Sequence, residues 1–290
     1  MGLRALFAFA TACLALGLAP AVAAVVPALR LEGKVMEGGV VVGTAAPGAQ
    51  VYLQGRKLLV DPQGRFVMGF DRDSTGHQTL RVVWPSGKIT RRRLTIRKRK
   101  YAIQKVTGLP QKTVIIPKSE YPRIKRESKR KLAARSQDTA ASWFAEDFVW
   151  PAKGPISGVF GSQRIDNGVP KSPHYGVDIA APEGAKIVAP AGGIVTLARP
   201  GMYFEGGLVF IDHGHGLFSY MMHMSKVEVH KGELVKQGQE IGRVGHTGRA
   251  AGSHVHWGMY WFAAHVDPST LVPPLGQPVA LGTKVGGTGG

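Results

Sequence analysis

The chain has 290 residues, 44% of them hydrophobic, an ordinary globular composition with room for two domains. Its single cysteine, Cys13, excludes an internal disulfide, so the fold has to be held by core burial. The net charge of +18 is confined to the front: residues 1–145 hold 26 basic and 8 acidic side chains, whereas residues 146–290 hold 11 of each.

Arg4, the apolar run Ala5–Leu18 and the small residues Ala21-Val22-Ala23 predict a secretory signal peptide over residues 1–23, with the mature start near Ala24. The run is too short and wrongly flanked for a membrane span. Cys13 falls inside it, so the mature chain would carry no cysteine at all. A lipoprotein reading of Ala10-Thr11-Ala12-Cys13 lacks the branched apolar residue that such a site needs at Ala10. The expected location is the periplasm or cell envelope.

Residues 24–106 alternate short β-prone runs with turns. Pro62-Gln63-Gly64 and Pro85-Ser86-Gly87 are hairpin signals, because Pro presets φ and Gly tolerates positive φ. Strands at this spacing predict a small β-sandwich of immunoglobulin-like architecture. Residues 107–147 are expected to form a basic connector: an extended stretch to Pro117, then a helix from Ser119 as N-cap to about Phe144 with Pro122 in its first turn. Within residues 91–135 there are 17 basic and 2 acidic groups. Such a stripe is either a solvated face or a footprint for anions. From residue 148 to 275 the texture changes to Gly-rich β segments with almost no helix signal, which predicts a compact antiparallel β domain. Residues 276–290 end in GGTGG and are expected to be disordered.

Nine of the ten histidines lie in the second half. Two close pairs of metal-ligating residues stand out there: His174-Tyr-Gly-Val-Asp178 and His254-Val-His256. Pro170, Pro173, Gly176 and Pro182 argue against a helix through the first pair. In extended backbone an even spacing points both members of a pair to one side. Spacing alone leaves a metal site and a set of satisfied core histidines equally open.

The segments FGSQRIDNGVPKSPHYGVDIAAPEGAKIVAPAGG, IDHGHGLFSYMMHMS and VGHTGRAAGSHVHWGMY resemble the lysostaphin-type, or LytM-type, zinc peptidases. That family is marked by HxxxD, a later histidine in a Tyr-x-His-Leu-like segment, and HxH, and the three motifs occur here in that order over roughly residues 150–270. The resemblance implies a mainly β protein with an antiparallel catalytic domain, and one Zn2+ held by His174, Asp178 and His256. It also implies that His223 and His254 are catalytic and that metal-activated water attacks peptide cross-links of bacterial peptidoglycan. Met221 and Met224 depart from the middle motif. Tyr220 stands one residue from where many members carry their tyrosine, so a role for a tyrosine hydroxyl there is not implied.

Degenerate family members that act as non-catalytic wall regulators and activate an amidase have typically lost ligands, whereas all five positions are filled here. The front β domain, with no module specific for interpeptide bridges, resembles members that act on direct cross-links, favouring D-alanyl–diaminopimelate over glycine bridges. Nucleic acid is not an expected partner of an exported chain. Peptidoglycan peptide stems are, and residues 91–135 are expected to meet an anionic wall or membrane surface. Oligomeric state is not legible. His213, His215, His230, His246 and His265 are expected in turns, on the surface or in hydrogen bonds. Asp212 and Asp267 are expected to be structural. Arg164 and Asn167 are candidates to line the cleft, with a turn as the alternative for Asn167. Gly248, Gly252 and Trp257 are expected to shape the groove.

Overall fold

Alternation decides the front lobe: in QVYL, Val51 and Leu53 are buried while Gln50 is exposed and Tyr52 half-buried, so one face meets a core and the other meets solvent. The computed structural model describes residues 28–275. The expected signal peptide and C-terminal tail lie outside the described residues. Three front strands, β1 (Arg30–Gly33), β2 (Val40–Thr44) and β5 (Arg65–Gly69), form one antiparallel sheet. Four more, β3 (Gln50–Leu53), β4 (Arg56–Leu58), β6 (His77–Val83) and β7 (Ile89–Thr95), form a second in the order β4-β3-β6-β7. Phe66, Met68, Val51, Leu80, Val82 and Leu94 from both sheets share one core, giving the expected β-sandwich. Gly64 and Gly87 take φ of 83° and 81°, as the Pro-x-Gly turns require.

Strand β8 (Ile103–Val106), which the sequence groups with the front strands, pairs in parallel with β10 (Gln163–Asp166) of the back lobe, with Gln104 opposite Arg164. The connector is not wholly extended, since α1 (Gln111–Val114) makes one helical turn. Helix α2 (Tyr121–Ala134) is shorter than the sequence predicts. Ser119 lies in a preceding 3-10 turn and Glu120 takes the cap position with no side-chain cap bond. The helix stops where backbone from Thr139 onward is claimed by the back lobe: His215 N–H donates to Thr139 O at 2.8 Å and Phe144 N–H to His213 O at 2.8 Å. Ser136, Asp138 and Thr139 favour such competing local bonds over helix. The helix docks on the end of a long back strand and the turn that follows it, with Glu127 accepting from Tyr203 N–H at 2.9 Å and Arg123 donating to Gly201 O at 2.7 Å.

The back lobe is built on strands β9 (Ile156–Gly158), β11 (Val169–Pro170), β12 (Val177–Ala180), β13 (Lys186–Val188), β14 (Gly193–Met202), β15 (Gly206–Asp212), β16 (Leu217–Met224), β17 (Lys226–Val227), β18 (Leu234–Val235), β19 (Glu240–Arg243), β20 (His254–Trp261) and β21 (Ala264–Val266). Its main sheet runs β18-β14-β15-β16-β20-β12-β9, with β21 added beside β20, and a small sheet runs β13-β19-β17. Among the described residues no helix is long and apolar enough to cross a membrane. The lobes meet closely: a Cβ on Gly69 would stand 2.6 Å from Trp261 Cβ, and Arg99 donates to Asp267 at 2.7 Å.

His213 is fully buried, donating from Nδ1 to Gly192 O at 2.7 Å and accepting from Ser219 Oγ at 2.6 Å. A neutral ring satisfies both bonds, and burial pushes its pKa from 6.5 down to about 4. Below pH 6.5 the unfolded chain therefore takes up a proton that the native chain refuses. Its contribution is complete above about 6.5 and is lost as the pH falls toward 4. Urea midpoints measured across this window are expected to fall with pH, and His213→Asn is expected to lower the neutral-pH midpoint and flatten the slope. An unchanged slope in that variant would refute the assignment.

Candidate metal centre

Register builds the site. Asp178 on β12 stands directly opposite His256 on β20, and Met222 of β16 flanks His256 on its other side. His254 lies two residues before His256 and so shares its face. His174 reaches the same point from irregular backbone ahead of β12, not from one continuous strand. Its N–H donates to Ser162 O at 2.9 Å, and its O accepts from Gly161 N–H at 2.7 Å. His223 sits in β16 with φ of 66°, beside a register shift against β15. A bulge of this kind re-aims a side chain that strict alternation would turn away, and a bulky residue at positive φ is held there only by its surroundings.

The sequence-predicted residues converge. His174 Nε2, Asp178 Oδ1 and His256 Nδ1 form a triangle with edges of 2.9, 2.8 and 2.9 Å, and all three residues are buried. His174 Nδ1 faces Val159 O at 3.0 Å. A carbonyl only accepts, so the proton is on Nδ1 and a lone pair on Nε2 faces the cluster. Burial works to raise the pKa of Asp178, but His174 and His256 beside it prevail and hold its carboxyl well below the ordinary range. Burial pushes His256 down to about 4. Three potential metal-ligand atoms thus meet in one buried place, an arrangement suited to a cation. Tetrahedral ligands of one zinc ion stand about 3.3 Å apart, close to the observed edges. A buried His256 Nε2 lacks any partner, and a Cβ on Gly176 would fall 2.5 Å from it, so only glycine leaves room for the ring. The donor set fits a divalent metal ion.

The two remaining imidazoles stand beside this triangle. His223 donates from Nδ1 to Thr247 O at 2.9 Å, and His254 from Nδ1 to Gly252 O at 2.8 Å. Each is left with a lone pair on Nε2. Their ring centroids are 4.8 Å apart, and His254 Nε2 is 3.7 Å from Asp178 Oδ1. Burial, followed by the neighbouring His254 and His256, holds the pKa of His223 well below its ordinary value. A groove beside the cluster is lined by His174, His223 and His256 together with Phe204, Tyr260 and Lys131, the last delivered by α2 and paired with Glu205.

Trp257 does not shape the groove. It faces away from His256, is fully buried and packs edge-on against Trp150 at 5.7 Å. Asn167 is the turn residue between β10 and β11, with φ of 47° before Gly168 at 83°. Tyr220 packs behind His256 and spends its hydroxyl on Tyr175 O at 2.9 Å. His215 packs on Phe144, His265 stacks on Tyr175, and His230 and His246 face solvent beside Glu233 and Glu183. Asp212 caps Gly214 N–H and Asp267 caps Ser269 N–H. Arg164 donates to Asp178 Oδ2, and this contact lay beyond sequence reasoning, as did Arg249 and the carbonyl of Thr247. The only sequence signal for Arg249 is its place five residues before His254, where β20 begins.

A model of peptidase family M23 matches residues 172–268. The peptidoglycan DD-endopeptidase ShyA of Vibrio cholerae serotype O1 is 40% identical over 86 residues, which is 30% of this chain and 20% of that protein. The peptidoglycan DD-endopeptidase ShyC of the same organism is 36% identical over 104 residues, 36% of this chain and 24% of that protein. The matched stretch thus spans between a fifth and a quarter of these curated relatives. A solved structure from Pseudomonas aeruginosa, described as a peptidase M23, is 31% identical with a TM-score of 0.64. It aligns over 82% of this chain and 95% of its own.

Chelation is expected to lower the melting temperature by the loss of bound-ion stabilisation, about 4 kcal/mol for an ion present at 1,000 times its Kd. Asp178→Ala and His256→Ala proteins are expected to melt at a temperature indifferent to chelator in scanning calorimetry. Identical wild-type melting curves with and without chelator would contradict a metal centre.

Proposed function

Because the chain belongs to peptidase family M23, we propose that it is an exported zinc endopeptidase acting on peptide cross-links of bacterial peptidoglycan. The observation that carries this reading is the buried triangle of His174, Asp178 and His256 with two further imidazoles beside it. Two neutral nitrogens and one carboxylate oxygen are a donor set suited to zinc, with a fourth position left for water or substrate. A bound zinc ion would polarise the scissile carbonyl and make water more acidic.

The chain's own groups do the rest. His254, its Nδ1–H tied to Gly252 O, offers Nε2 to the proton of the attacking water and can pass it on to the leaving amine. His223, its Nδ1–H tied to Thr247 O and kept neutral, offers a second acceptor that orients that water. Arg164 on Asp178 Oδ2 leaves Oδ1 to the cluster. The favoured substrate is the direct D-alanyl–diaminopimelate cross-link, in the periplasm or cell envelope.

Incubation of purified sacculi with zinc-loaded protein is expected to release cross-link cleavage products in muropeptide analysis, and chelator is expected to stop it. His254→Ala should slow release by about 10²- to 10⁴-fold, the usual weight of a general base, while keeping its metal. Sacculi left intact by the zinc-loaded protein, or digested equally in chelator, would remove this function.

The basic stripe supports a second contact, with an anionic wall or membrane surface. Register places Lys57, Tyr52, Arg81 and Arg91 in one row across the four-stranded front sheet, on the face opposite Val51, Leu80 and Leu94. Arg93 follows on the same face of β7. Neutralising residues 91–93 is expected to weaken binding to sacculi or anionic vesicles and reduce its salt dependence in sedimentation assays. Binding that kept both its strength and its salt dependence would discard this contact.

A further inference from the structure

Arg249 has a fixed backbone and an unspent side chain. Its N–H donates to Phe204 O at 2.8 Å, and Gly248 before it has φ of 74° with a Cβ position pressed against Phe204 O and Gly206 N. The guanidinium lies 5.1 Å from the centre of the Phe204 ring and 3.9 Å from Asp166 Oδ2. That distance is beyond hydrogen-bond reach, and no acceptor within reach bonds this guanidinium among the described residues. Burial, working against the charge, lowers its pKa; Asp166 opposes this and Arg164 adds to it.

Its surroundings are equally incomplete. Asp166 is 2% exposed and its Oδ1 has no partner. Arg164 spends one nitrogen on Asp178 Oδ2, while its buried Nε has no partner. Arg164 and Arg249 both line the groove beside His223 and the cavity beside His254, so they stand where the two meet. The Arg249 side chain is 35% exposed and Arg164 keeps one buried nitrogen without a partner, so a ligand entering there meets donors free to bond it. A planar anion with two acceptor oxygens matches the guanidinium fork. Asp166 beside it weakens the pull on any anion, and on a phosphate dianion about twice as much as on a monoanion, which favours a carboxylate.

We propose that Arg249, with Arg164 beside it, forms a subsite for a substrate carboxylate carried on the carbon bonded to the scissile nitrogen. The proposal rests on the peptidoglycan reading and deepens it. A cross-link closed through the amino group of diaminopimelate bears a free carboxylate at that carbon. An internal bond of a glycine bridge bears none, so the subsite would select between them.

The test is calorimetric binding of two D-alanyl–diaminopimelate peptides, one with that carboxylate free and one with it as carboxamide. The zinc-loaded full chain carries His254→Ala to hold turnover off, with Arg249 intact or replaced. With Arg249 intact, the free carboxylate is expected to bind about 10- to 100-fold tighter, the range of a charge-assisted bidentate contact. Arg249→Ala should reduce that preference to within about twofold, and Arg249→Lys should retain part of it through charge alone. Absence of preference with Arg249 intact, or a preference that survives Arg249→Ala, overturns the subsite. Equal weakening of both peptides in Arg249→Ala overturns it as well, and assigns Arg249 to holding Asp166. Cleavage of the same peptide by protein with His254 intact is read separately. An uncut peptide with the preference intact leaves the subsite standing and removes the peptidase reading.

Discussion

Three lone-pair atoms forced together in a dry place constrain everything else in the back lobe. His174 Nε2, Asp178 Oδ1 and His256 Nδ1 stand within 2.9 Å of each other, with the His174 proton drawn away by Val159 O. Burying three such groups side by side is costly unless a proton or a cation bridges them. The β12–β20 register puts two of the atoms there, Gly176 leaves space for the His256 ring, and Arg164 steadies the outer oxygen of Asp178. The rest of the lobe can be understood as the frame that keeps this concentration of lone pairs from relaxing.

The same pattern recurs one step out. His174, His223 and His254 each pin one ring nitrogen to a backbone carbonyl and turn the other inward. Backbone carbonyls are good tautomer anchors because they never donate. Three imidazoles from three separate segments therefore present acceptors to one small volume, which ties the local chemistry to main-chain geometry and not to mobile side chains.

Much of this was legible in the residues. The pair His254 and His256 shares a face by strand alternation, and Asp178 lies in an alternating strand segment. The resemblance joined them to His174 and His223. Other features depend on partners distant in sequence. His223 faces the cluster only because a bulge and a positive φ turn it there, and no local signal marks either. Trp257 neighbours His256 in sequence, yet alternation sends it to the core against Trp150, and proximity to the motif obscured that simple rule. Helix α2 stops at Ala134 because Thr139 bonds to His215 across 76 positions of chain, a demand that helix propensity cannot contain. Arg249 carries no local signal of a role, because Asp166 and Arg164 reach it from a segment more than eighty residues earlier.

The parallel ladder between β8 and β10 places Gln104, which leads out of the front sandwich, opposite Arg164, whose other end grips Asp178. The two halves are therefore not beads on a string. The same four-pair ladder holds the backbone of the arginine whose side chain bonds Asp178, so the position of that arginine depends on both lobes. Front lobe and metal-binding cluster are thus joined by continuous backbone hydrogen bonding, four residue pairs long.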